Sequence, residues 1–179
     1  MSGSSRAETM RKIASFYSET ERTGELDWID IGFICEGIAF AQRPLREGNE
    51  KIIKQYNLGP RGAFILNLLA NGLCYPLELA TALCCGRSLI TAELARLTDG
   101  GLVASRPGEV DRRRTELTLT PVGEQALAEI RAETSRIIRT NLAGYTPEEI
   151  RKFGVMLRAV RGAPVFAEPT LLDPEPANG

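Results

Sequence analysis

A chain of 179 residues with 43% hydrophobic and 25% charged side chains is long enough to bury one core, and a formal net charge of −1 excludes a strongly basic protein that coats nucleic acid without specificity. With no histidine the chain lacks the commonest general base and metal ligand, and its four cysteines, Cys35, Cys74, Cys84 and Cys85, show no CxxC spacing, so neither a disulfide framework nor a metal site is expected. No run approaches the ~18 apolar residues of a membrane span, and MSGSSRAET lacks the layout of a secretory signal, so the expectation is a cytoplasmic protein without a membrane partner.

Residues 1–25 read as an N-terminal extension. Met1 to Arg6 is small and polar, Met10, Ile13, Ala14 and Tyr17 give Ala7 to Ser18 helical spacing, and Glu19 to Glu25 reads as a charged linker. Residues 26–58 form the next region. From Leu26 to Ala41, Trp28, Ile31, Phe33, Ile34, Cys35, Ile38 and Phe40 cover most of a helix circumference, which predicts burial on nearly all sides and, in a chain this small, against a second copy. Pro44 is expected to kink or end that helix, with Leu45 to Tyr56 continuing in amphipathic form.

Residues 59–120 carry the densest signal. Gly59-Pro60 places proline at the first turn of a helix over Arg61 to Asn71, with Phe64, Ile65, Leu68 and Leu69 as its buried face and Gly72 as its end. Leu79, Ala80 and Leu83 share one helical face and Ile90, Leu94 and Leu97 another, separated by Cys84-Cys85-Gly86, which is helix-turn-helix spacing. Asp99-Gly100-Gly101 stops the second helix, since glycine readily takes the left-handed conformation that closes helices. Strands follow over Leu102 to Arg106 and Thr115 to Leu119, the second with Leu117 and Leu119 alternating against Glu116 and Thr118. Between them, Glu109 to Arg114 forms a basic loop held out by a two-stranded ribbon. A helix-turn-helix followed by such a ribbon is a winged helix.

Residues 121–161 return to helix. Thr120 caps and Pro121 opens a long helix to about Asn141, with Val122, Leu127, Ile130, Ile137 and Ile138 as spaced apolar positions. Gly144 breaks it, and Thr146-Pro147-Glu148-Glu149 is a capping box that launches Glu148 to Arg161. Residues 162–179 turn proline-rich and acidic and read as a disordered tail. The fold class is therefore mainly α with a small β-wing, a winged helix-turn-helix flanked by N- and C-terminal dimerisation helices.

LELATAL, RSLITAELARL, DGGLV, DRRR and LTLTPVGEQAL, in this order and spacing, resemble the MarR family of winged-helix transcription regulators. A weaker resemblance extends to about Trp28 through Arg161. Two departures stand out: Glu93 where the recognition helix carries a semi-buried apolar residue, and Cys84-Cys85 in place of small and β-branched turn residues. The resemblance implies a homodimer on double-stranded DNA, and a small, often aromatic, acidic effector that lowers DNA affinity.

At 100° per residue, Ser88, Thr91, Ala92 and Ala95 lie opposite the Ile90–Leu94–Leu97 stripe, so small and hydroxyl side chains face a major groove, with Ala92 suited to a thymine methyl. Arg87, at the N-terminal end, is the best candidate for a guanine contact, while Arg96 lies to one side toward a phosphate. In the wing, the resemblance implies that Asp111 braces one of Arg112, Arg113 and Arg114 while another enters a minor groove, Arg113 matching the family's arginine position most closely. Phe33, Phe40, Arg43 and Arg46 offer aromatic walls and guanidinium groups to an acidic ligand, with a plain core role as the alternative.

A rival is a thiol-based peroxide sensor at Cys35, opposed by its apolar surroundings, which favour a buried, inert thiol. A second is a winged-helix protein-interaction module that reads no DNA. Enzymatic constellations are missing: there is no GxGxxG, P-loop or GxSxG, so neither catalysis nor a cofactor is expected.

Overall fold

The computed structural model describes residues 8, 11–12, 24–108 and 115–160. The chain divides into two compact units, residues 1–44 and residues 45–179. Wing residues Asp111, Arg112, Arg113 and Arg114 lie outside the described residues, as do Arg161 and the tail.

In the first unit, Glu8, Arg11 and Lys12 are helical, on the segment read as an N-terminal helix. Helix α1 spans Trp28–Phe40. Its start is a reciprocal cap that the sequence reading missed: Ile29 N (2.8 Å) and Asp30 N (3.0 Å) donate to the Asp27 carboxylate, and Asp27 N donates to Asp30 Oδ2 (3.0 Å). Within this chain none of its residues is buried, and Trp28 is 78% and Phe40 64% exposed. Cys35, expected to be buried, is exposed as well. The helix ends at Ala41, whose N–H donates to Gly37 O (2.8 Å), so Pro44 neither kinks nor terminates it. Pro44 falls instead in the first turn of helix α2, Gln42–Gln55, where an amide N–H has no intrahelical acceptor to lose.

The second unit carries the core. Helices α3 (Gly62–Ala70), α4 (Pro76–Ala82) and α5 (Arg87–Asp99) precede strands β1 (Val103–Pro107) and β2 (Thr115–Leu119), and helices α6 (Pro121–Asn141) and α7 (Pro147–Val160) follow. The strands pair antiparallel from Val103↔Leu119 to Pro107↔Thr115. Ile65, Leu66, Leu79, Ile90, Leu97 and Leu102 are fully buried where α3, α4, α5 and the ribbon meet.

Three expectations need correction here. Phe64 is 57% exposed and Leu66 takes its place in the core, because the buried row is Gly62, Ile65, Leu66 and Leu69 at i, i+3, i+4 and i+7. Gly62 belongs to that row because its Cα seats against Leu58, where a β-carbon would stand 3.2 Å from the leucine side chain. Pro60 precedes the helix instead of opening it, since Arg61 is the N-cap. On α6, Val122 and Ile138 are exposed, whereas Gly123, Ala126, Leu127 and Ile137 are buried.

Gly101 closes α5 in the left-handed region (φ 68), as its spacing predicts. Thr120 caps α6 as expected, accepting from Gly123 N (3.1 Å) while its hydroxyl donates to Gly101 O (2.7 Å). The capping box at α7 is also formed: Thr146 N donates to Glu149 Oε2 (2.7 Å) and Glu149 N to Thr146 Oγ1 (3.3 Å). The bond from Thr146 N, and then one that the Thr146 hydroxyl donates to the same Oε2 (2.8 Å), hold the Glu149 carboxyl below its ordinary value. No helix among the described residues is long and apolar enough to cross a membrane.

Candidate nucleic-acid interface

Helix α5 is built as a two-faced rod. Ile90, Leu94 and Leu97 are 1%, 9% and 0% exposed, while Arg87, Ser88, Thr91, Ala92, Ala95 and Arg96 are all exposed. Gly86 caps its start in an extended conformation, and Cys84 carries the preceding turn with a positive φ of 49. The two adjacent thiols diverge: Cys84 is exposed, whereas Cys85 is half-buried against the core.

Thr91 Oγ1 donates to Arg87 O (2.9 Å). Its proton is therefore engaged, and what Thr91 offers outward is acceptor capacity, suited to a base amine better than to a phosphate. Leu89 is 48% exposed on the same helix, a position the sequence reading passed over. Glu93, flagged as a departure, is only 8% exposed, and its Oε2 finds no hydrogen-bond partner. Its carboxylate packs directly over Gly59, where any β-carbon would overlap it.

Arg87 sits on a flank of α5. With Ile90 and Thr91 it lines an open groove of about 340 Å³ whose other walls include Tyr75 and Leu77, at the start of α4, and Thr115, at the start of β2. The helix start at α4 is fixed by Tyr75 N donating to Glu78 Oε2 (3.0 Å). Across the ribbon, Arg106 Nε lies 3.3 Å from Glu116 Oε2, its register partner. Glu116 Oε2 is buried and the approach is not aligned as a hydrogen bond, so this pair is a charge contact. Arg106 thus already faces a carboxylate. Leu117 N donates to Cys74 O (2.8 Å), which ties the segment before α4 to the ribbon. Burial, then the Glu116 and Glu78 charges, push the Cys74 thiol up, so it stays protonated.

The candidate effector residues are placed less tightly. Phe33 and Phe40 lie two turns apart on one side of α1 and are 54% and 64% exposed, and Arg43 and Arg46 are exposed on α2. The contact between α2 and α6 is a polar seam. Asn49 Nδ2 donates to Leu45 O (2.9 Å) and Thr134 Oγ1 (3.1 Å), and Tyr56 Oη donates to Glu129 Oε1 (2.9 Å), which raises the tyrosine pKa. Asn49 is 6% exposed and was not anticipated, because its partner stands 85 residues away.

No family model matches the chain. It is 28% identical over 112 residues to the HTH-type transcriptional repressor IacR of Pseudomonas putida, a match covering 62% of this chain and 67% of IacR. The transcriptional regulator BldR of Sulfolobus solfataricus is similar in structure, with a TM-score of 0.60 and 25% identity over 76% of this chain and 99% of BldR. So is BpsR of Bordetella bronchiseptica, whose DNA binding is regulated by 6-hydroxynicotinic acid, with a TM-score of 0.59 and 21% identity over 78% of this chain and 99% of BpsR.

Proposed function

We propose, from the fold that this chain shares with the MarR-family transcription regulators, that it is a homodimeric repressor which binds a pseudo-palindromic operator and is released by a small aromatic acid. The observation that carries the reading is α5: a helix anchored by Ile90, Leu94 and Leu97 that presents Ser88, Thr91 and Ala92 outward between Arg87 and Arg96. Small side chains let the backbone approach base edges, and the flanking arginines supply charge on a chain that is nearly neutral overall. Arg112, Arg113 and Arg114, with Asp111 as a brace, extend the contact into a minor groove.

One winged helix makes few contacts, so two copies reading half-sites about one helical turn apart give usable affinity. The exposed apolar side chains of α1, and Phe153, Val155, Met156, Leu157 and Val160 on α7, supply the surface for that association. The effector reading draws on BpsR and its 6-hydroxynicotinic acid, with Phe33, Phe40, Arg43 and Arg46 as the residues to meet an aromatic carboxylate. By linkage, an acid that weakens DNA binding itself binds the DNA-bound protein less well. The test is an anisotropy titration against DNA upstream of the protein's own gene, across salt and with a panel of aromatic carboxylic acids. Saturable, sequence-dependent binding relieved by one acid is the expected result, and failure to bind any promoter fragment specifically moves the protein to a non-DNA interaction module.

The exposure of Cys35 favours a second reading, release by hydroperoxide through that thiol. It requires that Cys35→Ser abolish a peroxide response, and a normal response in the variant ends it.

A further inference from the structure

We infer that the groove between the start of α4, the first turns of α5 and the start of β2 seats a backbone phosphate of bound DNA, with Arg87 as its cation. It rests on the DNA-binding reading and assigns Arg87 a different partner from the guanine its sequence position suggests.

Arg87, Ile90 and Thr91 stand at i, i+3 and i+4 and share one side of α5. That side faces Tyr75, Leu77 and Thr115 across the groove. A guanidinium that reads guanine must project from the outward face with Ser88 and Ala92 into the middle of a major groove. From the flank it meets the wall of that groove, which is phosphate. Arg87 is the only charged side chain among the described residues that line the groove, and none of those residues is a carboxylate. Thr91 has its proton committed to Arg87 O, whereas the guanidinium and the exposed Thr115 hydroxyl are donors that a phosphate oxygen could accept from. Leu77, 52% exposed, and Pro76 give the groove an apolar lip against which the C–H edge of a deoxyribose packs. Thr91 belongs to both the groove and the outward face, so the groove opens beside the helix surface that approaches the bases. A sugar-phosphate strand bordering a major groove runs in that position.

A phosphate contact and a base contact leave different signatures. The experiment compares wild type, Arg87→Ala and Arg87→Lys on two duplexes, one selected by the wild type from a random pool and one of unrelated sequence, each titrated across salt. If Arg87 holds a phosphate, Arg87→Ala weakens both duplexes by the same factor, and its salt slope is shallower by about 0.9, or roughly 3.5-fold less affinity lost between about 50 and 200 mM salt. Arg87→Lys keeps the wild-type slope, because a point charge serves a phosphate though it cannot form the fork that guanine needs. Selection with Arg87→Ala then returns the wild-type consensus. Methylphosphonate substitution of the flanking phosphate reproduces the loss in wild type and adds nothing in Arg87→Ala. Relaxed preference at one base pair with the salt slope intact, or failure of lysine to restore binding, overturns the assignment and returns Arg87 to base reading. An unchanged slope and affinity in Arg87→Ala overturns any DNA contact there. Absence of binding by the wild type to every duplex is a different failure, that of the DNA-binding reading itself.

Discussion

Replacing Gly123 with alanine tests how the ribbon is joined to α6. Gly123 is buried in the first turn of the helix, and a β-carbon built there overlaps the Leu102 carbonyl oxygen and stands 3.0 Å from its carbon. That carbonyl is not free to retreat, since it accepts from Thr120 N (3.1 Å) and belongs to a residue 1% exposed. Alanine gains up to about 1 kcal/mol over glycine in helix propensity. Against this stand overpacking of about 1–3 kcal/mol, at its upper end because the obstacle is backbone, and loss or weakening of one hydrogen bond worth about 1 kcal/mol. The net expectation is destabilisation by about 2–3 kcal/mol, a fall in Tm of roughly 4–12 °C. Urea and thermal unfolding followed by circular dichroism measure it, with Gly144→Ala as control, since nothing lies within 4 Å of a β-carbon there. Gly123→Ala as stable as the control refutes the close approach of ribbon and helix.

Glu93→Met should raise the unfolding free energy by about 1–3 kcal/mol, read as a higher urea midpoint at unchanged m, because it removes a buried oxygen without a partner and refills the site with an unbranched side chain; a lower midpoint means the carboxylate is bonded in solution. Glu149 is a depressed carboxylate, so its contribution to α7 is fully present above the ordinary value of 4.5 and is lost as pH falls through the lowered folded pKa. Carbon-detected titration should show the Glu149 pKa return part of the way upward in Thr146→Ala, which keeps the backbone N–H but loses the hydroxyl, and an unmoved titration removes the Thr146 hydroxyl as a cause. Arg113→Ala should weaken operator binding by a few kcal/mol at most, roughly 10- to 100-fold, with a shallower salt dependence. Equal affinity and slope in the variant rule out a wing contact at that residue.

The parts of the fold that were legible are those where one local rule decides the outcome. The period of Ile90, Leu94 and Leu97 fixed the buried stripe of α5, the alternation of Leu117 and Leu119 gave β2, and Thr146 with Glu149 announced a cap. Phe64 failed because residue type was weighed above phase: the helix turns toward Gly62 and Leu66, where backbone can come close to Leu58. Pro44 failed because a proline is harmless in a first turn, and the break came at Ala41 without any proline. For the candidate interface, the exposed face of α5 followed from helical projection alone. The flank position of Arg87 did not, since the groove depends on Tyr75 and Thr115 arriving from elsewhere in the chain, and neither carries a local signal of that meeting. The same holds for Asn49, whose burial is made by Thr134.

If α1 pairs two copies as proposed, its exposed surface makes the molecule sensitive to dilution. The winged-helix segment carries the buried core, whereas α1 is a rod of largely apolar side chains, none of them buried within this chain, that starts at the Asp27 cap. In the dimer proposed above, its order would depend on how many copies are present. Lowering the protein concentration should unravel α1 while the rest stays folded, giving two transitions where a concentrated sample gives one. For the proposed dimer, operator occupancy below that threshold would rise with the square of copy number, so a modest change in synthesis rate would become a steep change in repression.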